Sequence, residues 1–204
     1  MTRVKICGVR TPEDAADAVW AGADAVGVIL APAPRRISLA DVTAIRRAFP
    51  ALVPLVGVFV DPGEHEVRVA LDAGVGVLQF SGVESPQFCA SFGRPFIKVL
   101  HVGERAPELG DVRRYSAGMI TFDAASVQRG GMGRTFAWSA IEPLREIGPF
   151  CVAGGLRPEN VGEAVRRLRP FAVDVSSGVE RGGRKDRELM RAFVRAVRES
   201  DAAA

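Results

Sequence analysis

A lysine and a cysteine two residues apart near the start of the chain could do chemistry together. They lie in the run Val4-Lys5-Ile6-Cys7-Gly8, which alternates like a strand and ends at a glycine turn. Residues two apart in a strand share a face, so Lys5 and Cys7 should project to the same side. Because a neighbouring ammonium favours the thiolate, this spacing predicts a cysteine that can act as a base or a nucleophile. The alternative is a buried cysteine that only packs.

A second reactive group, Asp123, directly follows a predicted strand. A thiol and a carboxyl group that approach one molecule from opposite sides suit a proton-shuttling reaction, in which one removes a proton and the other donates one. The alternative is that Asp123 is a turn residue or a helix N-cap ahead of Ala124. Cys7 and Asp123 form an acid–base pair only if the fold brings the ends of their strands together.

Glycine-rich turns after the last two predicted strands could bind a phosphate. Glycine lets backbone N–H groups approach an anion, and serine hydroxyls add donors, although each turn alone is also an ordinary turn. A further loop places Gly133 beside Arg134, and it is flexible enough to fold over a ligand. The residues of the two turns are Gly154, Gly155, Ser176, Ser177 and Gly178.

Arg35 is a candidate partner for a carboxylate. It follows the second predicted strand in a loop stiffened by Pro32 and Pro34, so its guanidinium could be held in place. The alternative is a solvated surface arginine.

Eight strand-like segments alternate with helical segments and must position these groups. The strands are near-continuous runs of Val, Ile, Leu and Phe, as strands buried on both faces of a parallel sheet require. They are predicted at residues 3–7, 25–30, 55–60, 76–80, 96–100, 119–122, 150–153 and 172–176. Helices are predicted at residues 12–20, 38–49, 64–73, 86–91, 104–115, 138–147, 158–168 and 185–199.

Eight β-then-α units predict an α/β protein, a single-domain (β/α)8 TIM barrel of eight parallel strands over residues 1–204. The alternative is an open doubly wound sheet, but no G-x-G-x-x-G follows the first strand. Active sites of such barrels lie at the carboxyl ends of the strands. Cys7, Asp123 and the glycine turns would then share one rim.

Composition and charge narrow the possible functions. The chain has 204 residues, of which 48% are hydrophobic and 25% charged, as in an ordinary globular protein. Its 27 basic and 24 acidic residues give a net charge of only +3, and the arginines are spread over many helices. This pattern does not support nucleic-acid binding but allows an anionic small substrate. No apolar run is long enough to span a membrane.

The cysteines and histidines predict no disulfide framework and no metal site. Cys7, Cys89 and Cys151 are widely spaced and lack a C-x-x-C motif, which favours a reducing compartment. His65 and His101 have no acidic partners at ligand spacing. Because the chain begins directly with a strand, we expect no signal peptide and a cytoplasmic protein.

Six motifs, taken in combination, resemble a single family and cover nearly the whole chain. They are Lys5-Ile6-Cys7-Gly8, Pro34-Arg35, Val56-Gly57-Val58-Phe59-Val60, Gly131-x-Gly133-x-x-Phe136, Ala153-Gly154-Gly155-Leu156-x-Pro158-Glu159-Asn160-Val161 and Asp174-Val175-Ser176-Ser177-Gly178-Val179-Glu180. The family is phosphoribosylanthranilate isomerase, a barrel enzyme of tryptophan biosynthesis.

The resemblance implies an Amadori rearrangement of N-(5'-phosphoribosyl)anthranilate that needs no cofactor and no metal. It implies Asp123 as the general acid on the furanose ring oxygen and Cys7 as the general base that takes the C2 proton. It implies that Arg35 holds the anthranilate carboxylate. Further implied contacts are Lys5, Gln79 and Asp174 to the substrate, and Gly133, Gly154, Gly155, Ser176, Ser177 and Gly178 to its phosphate.

The chain departs from the family at several positions. Ser81 stands where the family usually has histidine, which removes an imidazole near the expected pocket. In and after the glycine loop, Met132, Arg134 and Ala137 replace the common residues. Since the implied acid and base are both retained, we expect these changes to affect substrate contacts and to lower turnover at most.

Two alternatives to this function remain open. The histidine-pathway isomerase performs the same type of reaction with two aspartates, and Cys7 argues against it. A non-catalytic barrel that binds a phosphorylated ligand is the other, and the retention of Cys7 with Asp123 argues against that. We expect a phosphorylated small molecule carrying an anthranilate carboxylate as the partner, no nucleic acid and no membrane, with a monomer and a homodimer both possible.

Overall fold

A closed barrel of parallel strands forms the centre of the molecule. A computed structural model describes residues 1–48, 50–102, 107–123 and 138–203. The strands are β1 (Arg3–Ile6), β2 (Ala25–Ile29), β3 (Leu55–Phe59), β4 (Val77–Phe80), β5 (Phe96–His101), β6 (Met119–Asp123), β7 (Phe150–Ala153) and β8 (Ala172–Val175). Each strand pairs in parallel with the next, and β8 pairs with β1 to close the ring. The predicted (β/α)8 barrel is confirmed, and an open sheet is wrong.

Helices follow the strands along the described chain. They are α1 (Pro12–Trp20), α2 (Leu39–Arg47), α3 (Glu64–Asp72), α4 (Pro86–Ala90), α5 (Leu109–Arg113), α6 (Trp138–Ile141), α7 (Pro158–Leu168) and α8 (Arg187–Ala202), with α6 continued by the 3-10 segment Glu142–Ile147. Part of the helix predicted at 104–115 lies outside the described residues. In the described part of the chain, no helix is long and apolar enough to cross a membrane.

The last helix begins later than the sequence predicted. Its predicted start at Lys185 is wrong, because that residue pairs with Glu180 in a short antiparallel hairpin. The hairpin strands are β9 (Glu180–Arg181) and β10 (Arg184–Lys185). Gly182 and Gly183 between them have φ angles of 58° and 74°, as a tight two-residue turn of the primed type needs. Asp186 then caps α8 through the backbone N–H groups of its first turn.

Apolar side chains fill the space between the strands and the helices, while several polar side chains are buried in the barrel strands. Helix α8 buries Phe193 and Val197, which are four residues apart and therefore lie on one stripe. The strands contribute Ile6, Leu78 and Phe122 to the same core. The buried polar residues on the barrel strands are Lys5, Gln79, Lys98, Thr121 and Asp174. Buried polar groups need hydrogen-bond partners, so the surroundings of these five residues are a candidate functional site.

Candidate active site

Cys7 lies at the carboxyl end of β1, one residue past the strand. Its backbone N–H donates to the carbonyl oxygen of Val175 at 2.8 Å, which extends the pairing of β1 with β8 to this residue. Its side chain is buried, and so is that of Lys5. A Cβ atom placed on Gly27 would lie 2.9 Å from the Cys7 sulfur and 3.0 Å from Lys5 Cε. Both side chains therefore project to the same side, as predicted, into space left by the glycine of β2.

Lys5 forms a buried ion pair with Asp174 across the junction of β1 and β8. The register places the two residues opposite each other, and Lys5 Nζ lies 2.7 Å from Asp174 Oδ2. Burial alone lowers the pKa of the Lys5 ammonium, but the charges of Asp174 and Cys7 outweigh this, so the pKa lies above its ordinary value. Lys5 is therefore a permanent cation beside the thiol.

The protonation of Cys7 differs from the sequence-based expectation. Burial raises the pKa of the Cys7 thiol, Lys5 lowers it, and the carboxylate of Asp174 raises it again. The net direction is upward, because burial has the largest effect and the Asp174 carboxylate opposes part of the effect of Lys5. Without a ligand Cys7 is a thiol, and a nearby ammonium alone does not make it a thiolate.

Asp123 ends β6 on the same rim of the barrel as Cys7, because parallel strands end at one edge. The register pairs Asp123 with His101 of β5 on one side and with Ala153 of β7 on the other. The Nδ1 atom of His101 lies 3.9 Å from Asp123 Oδ2. The two side chains are 50% and 26% exposed, so the carboxyl group is open to a ligand.

His101 restores an imidazole to the place where the sequence indicated a loss. Its Nε2 atom lies 3.1 Å from the carbonyl oxygen of Ser81, the residue that stands for the usual histidine. The sequence interpretation considered His101 only as a metal ligand and missed this position. The parallel register of β5 and β6 is the signal that could have revealed it.

The turns after β7 and β8 lie against each other. A Cβ atom on Gly178 would collide with the carbonyl group of Leu156, so only glycine allows this approach. Asn160 fixes the first turn, since its Nδ2 donates to the Gly155 carbonyl oxygen at 3.0 Å. Gly154 and Ser177 belong to these adjacent turns, whereas Gly133 lies outside the described residues. Gly154, Gly155, Ser177 and Gly178 thus belong to two adjacent turns, and Ser176, directly before the second turn, has a buried hydroxyl oxygen.

Three buried oxygen atoms have no hydrogen-bond partner among the described residues. They are Oε1 of Gln79, Oδ1 of Asp174 and Oγ of Ser176. Buried polar atoms are nearly always satisfied in native proteins, by protein, water or ligand. The two acceptors and the hydroxyl are therefore candidate contacts for ligand hydroxyl groups.

Arg35 has a partner that the sequence interpretation missed. Its Nε and Nη2 atoms donate to the two carboxylate oxygens of Glu180 at 2.7 and 2.8 Å. The Glu180 carboxylate also accepts a hydrogen bond from Lys185 Nζ at 2.9 Å. Arg35 is thus neither a solvated surface residue nor an isolated cation. The hydrogen bonds to Glu180 raise the pKa of the Arg35 guanidinium above its ordinary value.

The broad surface cleft at the opposite end of the barrel contains none of these groups. Its lining includes residues that precede or begin strands, among them Thr2, Phe150 and Phe171. The candidate site residues instead lie at the carboxyl rim, where (β/α)8 barrels hold their active sites.

Fold and rim together define a (β/α)8-barrel enzyme. A family model described as N-(5'phosphoribosyl)anthranilate (PRA) isomerase matches residues 4–196. The chain therefore belongs to the N-(5'-phosphoribosyl)anthranilate isomerase family. This confirms the resemblance in the sequence motifs.

Individual relatives agree over the full length. The N-(5'-phosphoribosyl)anthranilate isomerase of Desulforudis audaxviator is 44% identical over 203 residues, covering 98% of this chain and 100% of the relative. That of Halorhodospira halophila is 45% identical over 205 residues, covering 98% of each. The crystal structure of the Thermotoga maritima phosphoribosyl anthranilate isomerase has a TM-score of 0.86 at 36% identity, covering 98% of this chain and 100% of that one.

Proposed function

We propose that the chain converts N-(5'-phosphoribosyl)anthranilate into 1-(2-carboxyphenylamino)-1-deoxyribulose 5-phosphate, in the biosynthesis of tryptophan. The observation that carries this proposal is a thiol and a carboxyl group on one rim of a barrel that the family model matches. A related structure, with a TM-score of 0.82 at 35% identity, is a complex with reduced 1-(o-carboxyphenylamino)-1-deoxyribulose 5-phosphate. That ligand carries a carboxylate and a phosphate, for which this rim offers a guanidinium and glycine turns.

Asp123 is the general acid of the first step. It donates a proton to the furanose ring oxygen, the C1–O bond breaks, and the lone pair of the anthranilate nitrogen forms a C=N iminium at C1. The partly exposed side chain of Asp123 at the end of β6 lets it reach a sugar held over the barrel. No metal or cofactor enters this step, because the substrate nitrogen supplies the electrons.

Cys7 is the general base of the second step. Its thiolate removes the C2 proton, and the electrons of that C–H bond form a C1=C2 double bond while the iminium becomes a neutral amine. The resulting enol loses its hydroxyl proton and gains one at C1 to give the ketone. Burial raises the pKa of Cys7 in the free protein, so the positive iminium is what favours loss of the thiol proton to water before the C2 proton is taken. A thiolate of raised pKa is also a stronger base.

The remaining rim residues bind the substrate. Arg35 holds the anthranilate carboxylate, and the Lys5–Asp174 pair with Gln79 contacts the sugar through the two unpartnered acceptor oxygens. The phosphate lies on the turns after β7 and β8, with Gly133 as an additional contact. The phosphate-binding residues in the described part are Gly154, Gly155, Ser176, Ser177 and Gly178.

Loss of anthranilate-adduct fluorescence tests the proposal. We expect the wild-type protein to consume N-(5'-phosphoribosyl)anthranilate, and the Cys7→Ala and Asp123→Ala variants to bind it without consuming it. Wild-type protein that binds the substrate but never converts it would support a non-catalytic binding barrel. Turnover of the aminoimidazole substrate at a comparable rate would support the histidine-pathway activity instead.

We further propose a cytoplasmic location, as in the sequence-based expectation. The three cysteines Cys7, Cys89 and Cys151 are free and buried, which suits a reducing compartment. Fractionation of cells that express the full chain tests this location.

A further inference from the structure

The hairpin that follows β8 presents two opposite charges to Arg35. Glu180 and Lys185 pair across β9 and β10, so their side chains lie beside each other. The Lys185 side chain is 1% exposed and that of Glu180 is 7% exposed. Charged groups this deeply buried are rare unless they are paired, so the hairpin is built around this contact.

Arg35, Glu180 and Lys185 form one connected network. The Arg35 guanidinium binds both oxygens of Glu180 in a fork, the geometry that fixes the guanidinium plane most firmly. Lys185 Nζ donates to Glu180 and also, at 2.8 Å, to the carbonyl oxygen of Ser176. The network therefore joins the loop after β2 to the turn that begins the proposed phosphate site.

The aliphatic part of the Arg35 side chain also packs closely against Gly8. A Cβ atom on Gly8 would lie 2.8 Å from Arg35 Cδ and 2.9 Å from Ser176 Oγ, and Gly8 has a φ angle of 73°. The arginine therefore crosses directly over the backbone next to Cys7. A guanidinium has five N–H donors, of which Glu180 takes two, so three remain for another acceptor.

We propose that Glu180, supported by Lys185, is a positioning residue that holds the Arg35 guanidinium ready for the carboxylate of the substrate. This inference rests on the proposed function of Arg35 as the carboxylate-binding group. Both oxygens of Glu180 accept hydrogen bonds from Arg35 and one also accepts from Lys185, so the proposed role of Glu180 acts through Arg35 and needs no contact with the substrate. Two cations and one anion leave a net charge of +1 in the network, which suits one carboxylate.

A double-mutant cycle between Arg35→Ala and Glu180→Gln tests whether Glu180 acts through Arg35. We expect Glu180→Gln to raise KM about tenfold with kcat nearly unchanged, the smaller end of what a charge-assisted hydrogen bond contributes. In the Arg35→Ala background the same change should raise KM less than about twofold. An equal effect of Glu180→Gln in both backgrounds, or a loss confined to kcat, would overturn the proposal.

Two inhibitors separate positioning from general damage to the rim. Anthranilate carries the carboxylate alone, and inorganic phosphate probes the turns after β7 and β8. We expect Glu180→Gln to weaken inhibition by anthranilate and to leave inhibition by phosphate unchanged, since Lys185 still holds Ser176. Equal weakening of both inhibitors would contradict a role directed at Arg35.

Matched variants control for charge and for folding. Glu188→Gln removes the same charge from a side chain of α8 that is 73% exposed, and it should leave KM unchanged. Glu180→Asp keeps the charge and should recover part of the wild-type KM; recovery no better than that of Glu180→Gln would count against the proposal.

If Arg35→Ala itself leaves KM unchanged, the proposed role of Arg35 fails. If only Glu180→Gln leaves KM unchanged, the inference fails and that role stands.

Discussion

The two halves of the rim are built in opposite ways. On the Cys7 side, the ion pairs Lys5–Asp174 and Lys185–Glu180 join side chains that are at most 9% exposed. On the Asp123 side, the neighbouring imidazole of His101 is 50% exposed and 3.9 Å away. The base therefore lies in a fixed, dry electrostatic environment, whereas the acid lies in a wetter one.

This difference follows the demands of the two proton transfers. A carboxyl group can protonate a ring oxygen from a partly hydrated position, because it needs only reach and a proton. A thiol can remove a proton from carbon only as the thiolate, which must be favoured once the iminium has formed. Buried charges can shift this equilibrium strongly, because water does not screen them. If this comparison is correct, breaking the buried ion pairs on the Cys7 side should lower stability, whereas substitutions on the Asp123 side should affect turnover without lowering stability.

Breaking the Lys5–Asp174 pair should have the largest effect. Lys5→Met leaves the Asp174 carboxylate buried without its cation, which costs about 3–5 kcal/mol of unfolding free energy. Urea denaturation measures this, with Arg68→Met as control, because the Arg68–Glu64 pair is exposed and worth less than about 1 kcal/mol. The double variant Lys5→Met/Asp174→Asn should recover part of the loss. Equal stability of Lys5→Met and wild type would show that the Cys7 side is not held by this pair.

The second-largest effect is expected from removal of the general acid Asp123, which should lower turnover without changing stability. Asp123→Ala is expected to lower kcat at least about 10²-fold, the usual scale for a general acid, with little change in the urea midpoint. Asp111→Ala removes an equivalent carboxylate that is 61% exposed on α5, and its kcat should match that of wild type. An Asp123→Ala variant with intact activity would show that Asp123 is not the general acid.

The barrel and its rim could be predicted from the sequence because they depend on local patterns. Strands such as β3 and β7 are short apolar runs between turns, and the barrel rule then assigns Cys7 and Asp123 to one edge. The partner of Arg35 could not be predicted in this way. Glu180 is 145 residues from Arg35 in the sequence, and its hairpin reads as a glycine-rich loop followed by a helix.

The protonation of Cys7 was missed for a related reason. Spacing in β1 places Lys5 beside Cys7, and that part of the prediction agrees with the structure. The opposing effects come from burial and from Asp174 on β8, neither of which is visible in a five-residue motif. Side chains that share a face follow from periodicity, whereas the balance of their charges depends on strands that are distant in sequence.

Acid should remove the contribution of Glu180 to stability. Burial alone raises the pKa of this carboxyl group, but hydrogen bonds from Arg35 and Lys185 lower it from 4.5 to about 2. A depressed pKa in the folded state stabilises the protein above pH 4.5, and this contribution disappears as the pH falls through about 2. We expect the free energy of unfolding of wild type to exceed that of Glu180→Gln by about 1–2 kcal/mol at pH 7. Urea denaturation at several pH values should show this difference shrinking between pH 4.5 and 2. A difference that does not depend on pH would exclude an ionised Glu180.

The smallest effect is expected from His101, and it tests how much Asp123 depends on this imidazole. An exposed pair is worth about 0.2–1 kcal/mol, so His101→Ala should lower kcat/KM by no more than about fivefold. His65→Ala is the matched control, because it removes the only other histidine of the sequence from an exposed position on α3. A loss of about tenfold for His101→Ala alone would mean that Asp123 relies on the imidazole as strongly as Arg35 relies on Glu180. The two halves of the rim would then follow one design, with each reactive group held by a charged neighbour.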